Sequence, residues 1–165
     1  MQYEVVIDRL RSAFPRTEID PEGAFLPWGA TYLDAEEFEQ HLKGKTWDKL
    51  DKSYLALRSD ALGFLGTSHL ILVLPAYMMA LVEGLRPLSS LPGILMIILT
   101  KPDPETDDGL GKERFDALID GLTEKQRAAI AASLAYFTET HEEEAMVEAA
   151  RLALDKFWGQ YLESV

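Results

Sequence analysis

Hydrophobic side chains recur at helical spacing along most of the chain. Near the start, Val5, Leu10 and Phe14 share one face of a helix predicted over residues 3–14, which Pro15 ends. Comparable stripes occur in the last third of the sequence, and no segment keeps a period of two. The pattern therefore predicts an all-α protein.

Polar residues mark where several of these helices begin and end. Asp34 is placed to cap a helix that stops before Gly44. Thr123 and Gln126 have the spacing of a capping box, in which each side chain bonds the backbone amide of the other. A last helix is predicted over residues 142–162.

One helix is apolar on every side. The run Leu70–Val82 carries no charge, and Thr67 or Ser68 is placed to cap it. We expect a single domain, residues 1–165, built as an irregular bundle of about six to seven helices around a central apolar helix at about 67–84. The residues expected to be largely buried are Leu72, Leu74, Tyr77, Met78, Leu81, Ile130, Leu134 and Phe157.

The same run raises the question of a membrane. The run Leu70–Val82 has 13 residues, whereas a spanning helix needs about 20. We therefore expect a buried core helix and no membrane partner.

Pro75 lies inside the apolar helix and removes one backbone hydrogen bond. Packing that tolerates a kink is one interpretation, and a kink that opens a pocket is the other.

Composition and charge exclude several classes of function. The chain has no cysteine, which excludes disulfides and thiolate chemistry and fits a reducing cytoplasm. The net charge is −12, and residues 101–165 hold 15 acidic side chains against 7 basic ones. An acidic surface repels phosphate backbones, so no nucleic-acid partner is expected.

The acidic residues do not form a recognisable metal motif. The segment starting at Asp103 would need glycine at its sixth position and glutamate at its twelfth to resemble a calcium loop, but these are Asp108 and Arg114. The three histidines occur in no zinc motif. We expect no metal site and no cofactor.

Nucleophilic catalysis has no support either. Ser68 and His69 are adjacent, so on a helix they point in different directions. The chain has no G-x-S-x-G elbow. No catalytic residue is therefore assigned, and a non-enzymatic protein is expected.

Candidate interaction residues come from the aromatic and acidic side chains. Trp28 and Trp47 lie in the loop-rich N-terminal region, and tryptophan is enriched at interface hot spots. Glu142, Glu143 and Glu144 form the densest acidic run near a predicted helix. The alternatives are that the tryptophans hold loops onto the core and that the glutamates stabilise a helix start.

Two longer blocks carry a resemblance. Phe64–Glu83 contains a Leu-Pro-Ala-Tyr segment, and Phe115–Phe137 contains a Leu-Thr-x-x-Gln helix start; Ala-Phe-Pro-Arg precedes both at Ala13–Arg16. Together they resemble a family of small bacterial all-helical proteins of unknown function. The resemblance implies a helical fold and brings no catalytic residues with it.

Two functional classes follow. The first is a protein-interaction domain of a bacterial cytoplasm, such as an acidic immunity-type inhibitor that binds a basic protein. The alternative is a small enzyme or ligand-binding domain with a pocket beside Pro75, for which a buried carboxylate such as Glu83 would be evidence.

Overall fold

A computed structural model describes residues 1–27, 32–84, 90–106 and 109–162. These contain eight α-helices, which hold more than half of the chain. The helices are α1 (Tyr3–Ala13), α2 (Ala35–Leu42), α3 (Lys52–Leu57), α4 (Thr67–Glu83), α5 (Leu91–Leu99), α6 (Leu110–Gly121), α7 (Glu124–Thr140) and α8 (Glu144–Lys156). The described part forms no strand beyond one bridge, Phe25 with Leu65. The all-α prediction is confirmed.

The helix count exceeds the predicted six to seven. The additional helices, α3 and α5, have six and nine residues. Short helices depend on tertiary packing more than on their own propensity, so the sequence pattern marks them weakly.

The central apolar helix is confirmed as α4. Every residue from Val73 to Val82 is buried, and Gly84 ends the helix in the left-handed conformation with φ 64°. The start differs from the prediction, because Gly66 is the N-cap and Thr67 is already helical, without a side-chain cap. No helix in the described ranges is long and apolar enough to cross a bilayer.

The other helices pack around α4. α1, α6 and α7 contact it directly, and α8 packs on α7 and α5. Of the side chains predicted to be buried, Leu72 and Phe157 are only half-buried and the other six are fully buried.

The last helix is shorter than predicted. α8 stops at Lys156, where Phe157 adopts φ −155° and ψ −55°, and a 3-10 turn follows at Trp158–Tyr161. The turn carries Trp158 into the core, where its indole Nε1 donates to the carbonyl of Leu99 at 2.6 Å. A buried indole N–H needs such a partner, which explains why the chain leaves the helical path there.

Candidate interaction surface

The two tryptophans singled out by sequence have different outcomes. Trp47 begins a 3-10 turn and is only 3% exposed. Its Nε1 donates to the carbonyl of Phe14 at 3.3 Å, so the side chain fixes this turn to the end of α1. A role in partner binding stays a prediction for Trp47. Trp28 lies outside the described residues.

The three glutamates lie at the junction of α7 and α8. α7 ends at Thr140, and the amide of His141 bonds the carbonyl of Phe137. Glu142, Glu143 and Glu144 follow and are all exposed. Glu143 is the N-cap residue of α8, although its side chain makes no capping bond, and Glu144 is the first helical residue. The positive end of the α8 dipole favours carboxylates here.

The start of α1 packs beside this junction. The rings of Tyr3 and Tyr136 lie 6.3 Å apart between centroids. The Met1 amino group donates to the carboxylate of Glu139, one residue before α7 ends. Both contacts bring the first residues of the chain to the C-terminal end of α7.

The end of α4 reaches the same place. The Tyr3 hydroxyl donates to Glu83 Oε1 at 3.4 Å, and burial followed by the charge of Glu83 raises the pKa of Tyr3. Three helix ends therefore meet, and we call this region the acidic end. It consists of Met1, Tyr3, Glu83, Tyr136, Glu139, Glu142, Glu143 and Glu144.

Within the acidic end, Glu83 is partly buried, whereas the other acids are exposed. Lys52 Nζ lies 2.6 Å from both of its carboxylate oxygens, and both side chains are partly buried. Glu83 is thus held in an ion pair. The alternative hypothesis asked for a pocket with a buried carboxylate; Glu83 is only partly buried and has a cation and a phenol as partners.

A small cleft does lie beside Pro75. Ala76 and Met79 of α4 form its wall, and Arg11, Asp48 and Lys52 are among the residues that line its rim. Its volume is about 70 Å³, which is room for about two water molecules. This volume is several times smaller than the roughly 300–1,000 Å³ of ordinary ligand pockets.

The histidines are all engaged in packing or backbone contacts. His69 Nε2 lies 2.8 Å from the carbonyl of Asp20, while His41 stacks on Tyr54 and His141 stacks on Phe137. Across the described ranges, no three acidic or histidine side chains are grouped as a metal site would require.

The acidic segment that was compared with a calcium loop is described only in part. Asp103 accepts a hydrogen bond from Lys156 Nζ at 2.7 Å. Asp108, which occupies the position where such a loop has glycine, lies outside the described residues.

Sequence reasoning missed Tyr3 and Tyr136 as members of this surface. Tyr3 is 36% exposed although it is a large aromatic residue. Its place near a helix start gave no indication of its neighbours, because these come from α4 and α7 and depend on how the helices pack.

Comparison with known proteins identifies the chain at the level of family. A sequence model of a family of unknown function matches residues 8–162, nearly the whole chain. Searches of curated proteins and of solved structures gave no match.

Proposed function

Since the chain belongs to this family of unknown function, DUF6714, we propose from its surface chemistry that it acts by binding a basic protein through the acidic end. Inhibition of a basic toxin by an immunity-type protein is one role of this kind. We propose a bacterial cytoplasm as its location, a reducing compartment that suits a chain without cysteine.

The juxtaposition of exposed apolar and acidic side chains at the acidic end carries the proposal. Tyr3 is 36% exposed and the Met1 side chain is 23% exposed, beside the carboxylate of Glu139. Methionine and tyrosine are enriched in interface cores, whereas acidic side chains suit a polar rim. This combination fits a partner with an apolar centre surrounded by lysine and arginine.

The charges have a separate role from the apolar contacts. Glu142, Glu143 and Glu144 are consecutive and exposed, so their mutual repulsion decreases when a cationic partner approaches. Such charges mainly raise the rate of association, and salt screens them with a Debye length of about 8 Å at physiological ionic strength. Glu83, already paired with Lys52, contributes less to this field.

The kinetic test uses a partner captured from extracts of the source organism and then purified. The triple variant Glu142→Gln, Glu143→Gln, Glu144→Gln should associate up to about tenfold more slowly at low salt, with dissociation nearly unchanged. Tyr3→Ala should instead speed dissociation, because a contact in the bound state is lost. Stopped-flow measurements over a range of salt concentrations separate the two effects.

A matched control removes three charges elsewhere. Glu105, Glu113 and Glu124 are exposed, and Glu113 and Glu124 lie in the first turns of α6 and α7. Their replacement by glutamine changes the net charge by the same amount as the first triple variant. It also removes carboxylates from the first turns of two helices. Glu124 and Glu142 flank α7, which is about 25 Å long. Equal slowing in both triple variants, or an unchanged and salt-insensitive rate, would contradict the proposal and leave helix stabilisation as the role of these glutamates.

A further inference from the structure

A second cleft lies near the start of α4, where α5 and α6 pack on that helix. Its walls are apolar and come from three helices: Leu70 of α4, Ile97 and Ile98 of α5, and Phe115 and Leu118 of α6. The volume of the cleft is about 120 Å³. Because a cavity of about 150 Å³ with walls of Leu, Ile and Phe takes up benzene, this cleft has room for one branched apolar side chain.

α5 exposes an apolar surface beside the cleft. None of its nine residues has a polar side chain. Ile94 and Ile98 are half-buried, and Ile97 is 79% exposed at the rim of the cleft. Among the helical residues that the structure describes, no large apolar side chain is more exposed than Ile97. The surface thus combines a protruding isoleucine with an adjacent cleft of matching size, and we call it the α5 face.

This combination is self-complementary. In a two-fold symmetric contact the same patch of each copy meets the other, so every protrusion must find its recess on that same patch. A two-fold axis between Ile97 and the cleft satisfies this condition, since it brings Ile97 of each copy to the cleft of the other. A different protein would have to supply both a matching protrusion and a matching recess, whereas a second copy has both.

The charge distribution also favours a second copy at this place. Each copy has a net charge of −12, so two copies repel each other. The α5 face lies in the part of the chain with the fewest charges, because Glu83 and Arg86 are the only acidic or basic side chains in residues 61–100. Of the described residues that line the cleft, only Arg114 is charged, and its guanidinium donates to two backbone carbonyls. Two copies that approach through this face therefore bring few charges together.

We propose that the α5 face binds a second copy of the chain in a weak two-fold dimer, in which Ile97 of each copy fills the cleft of the other. One short helix and one cleft form a contact smaller than the standard interface of about 1,600 Å², so the dimer dissociates readily. Thr67 borders the cleft and Glu83 belongs to the acidic end, and the α4 helix between them is about 25 Å long. Dimerisation therefore leaves both acidic ends accessible, and it does not depend on the function proposed for them.

The first test measures the oligomeric state of the full chain by analytical ultracentrifugation. A monomer–dimer equilibrium should appear with a Kd below about 1 mM. The Kd should fall several-fold between 0.1 M and 1 M salt, because the Debye length shortens from about 10 Å to about 3 Å and the repulsion between the copies is screened. Amide chemical shifts that change on dilution should lie around Leu70, Ile97 and Phe115.

Variants identify the contact. Ile97→Glu should raise the dimer Kd at least about tenfold, because a carboxylate would enter an apolar cleft, and it should stay folded because residue 97 is exposed. Leu57→Glu is the matched control, since Leu57 is 61% exposed on α3 and the exchange adds the same charge. It should leave the Kd unchanged. Gly111→Leu places a side chain at the cleft and should weaken the dimer with Ile97 intact.

If Gly111→Leu does not fold, the uncharged variant Ile97→Ala replaces it and should raise the Kd several-fold. A chain that stays monomeric up to about 1 mM would overturn the proposal and leave a different protein as the occupant of the α5 face. Dilution shifts that map to other helices, or an equal effect of Ile97→Glu and Leu57→Glu, would also overturn it.

Discussion

Leu74 lies near the middle of α4 with its side chain fully buried. Leu74→Ala removes apolar contacts and leaves a cavity, so the free energy of unfolding should fall by about 2–5 kcal/mol. Leu57→Ala is the control, because Leu57 is 61% exposed and should change stability by less than about 0.5 kcal/mol. Urea denaturation measures the free energy of unfolding of both variants. Equal midpoints would contradict the central position of Leu74.

The capping box at the start of α7 gives a second prediction for a single residue. Thr123 Oγ1 accepts from the amide of Gln126 at 3.2 Å, and Gln126 Oε1 accepts from the amide of Thr123 at 2.9 Å. Thr123→Ala should cost about 1 kcal/mol, whereas Thr123→Ser keeps the hydroxyl and should cost much less. Thermal unfolding would show no difference between the variants if the cap contributes nothing.

Single residues differ in how far the sequence predicts their environment. The capping box was predicted correctly because it depends on four consecutive residues. Trp47 was proposed as an interaction residue because of its type, but residue type does not specify whether an indole faces solvent. Its partner, the carbonyl of Phe14, lies in a distant part of the sequence.

At the scale of elements, long periodic segments were predicted well and short or interrupted ones were not. α4 and α7 have 17 residues each; both bounds of α4 and the start of α7 at its capping box were predicted within a residue or two. The break at Phe157 was missed, because the apolar spacing continues through Tyr161 while the backbone does not. The change of path brings Trp158 to its partner, the carbonyl of Leu99, which lies 59 residues away in the sequence.

The 3-10 turn after α8 leads to a prediction at this scale. A Cβ on Gly159 would lie 2.9 Å from the backbone oxygen of Leu154, and a backbone atom cannot move aside as a side chain can. Gly159→Ala should therefore destabilise the protein by about 1–3 kcal/mol. Gly63→Ala is the control, since a Cβ on Gly63 meets nothing within 4 Å. Differential scanning calorimetry compares the two variants, and an unchanged Tm in Gly159→Ala would contradict this geometry.

At the scale of the whole molecule, the fold class and the excess of acids were predictable, but the candidate surface was not. The sequence identifies Glu142–Glu144 as a dense acidic run. The contacts of Met1 with Glu139 and of Tyr3 with Glu83 and Tyr136 depend on three helix ends that meet only in the folded chain.

The tyrosines give the molecule a sensitivity to alkaline pH. Burial, first among the causes, raises the pKa of Tyr32, Tyr54 and Tyr77 above the ordinary value of about 10. The unfolded chain loses these protons first as pH rises. The stability that they contribute is therefore complete below about pH 10 and is lost as the pH rises toward the higher folded-state pKa values. The free energy of unfolding should fall steeply above about pH 10.

Tyr77→Phe distinguishes this linkage from general alkaline damage. The variant loses the bond from the Tyr77 hydroxyl to the carbonyl of Arg58 and should be less stable at neutral pH by about 1 kcal/mol. Above about pH 10 its stability should fall less steeply than that of the original chain, because one titrating group is gone. If denaturant titrations show the stability of Tyr77→Phe falling in parallel with that of the original chain as pH rises, the ionisation of Tyr77 does not contribute to the loss of stability.

The two described tryptophans, Trp47 and Trp158, also provide an intrinsic fluorescence signal for unfolding. One indole is held against the end of the first helix and the other against the end of the fifth, each by a backbone carbonyl in a buried site. Their emission should be shifted to short wavelength in the native state and move to longer wavelength when water reaches the rings. Trp47 lies in the first half of the chain and Trp158 in the second. Replacing Trp28 and one of these two with phenylalanine leaves a single emitter in one half, and coincident unfolding transitions of the two double variants would identify a single cooperative unit.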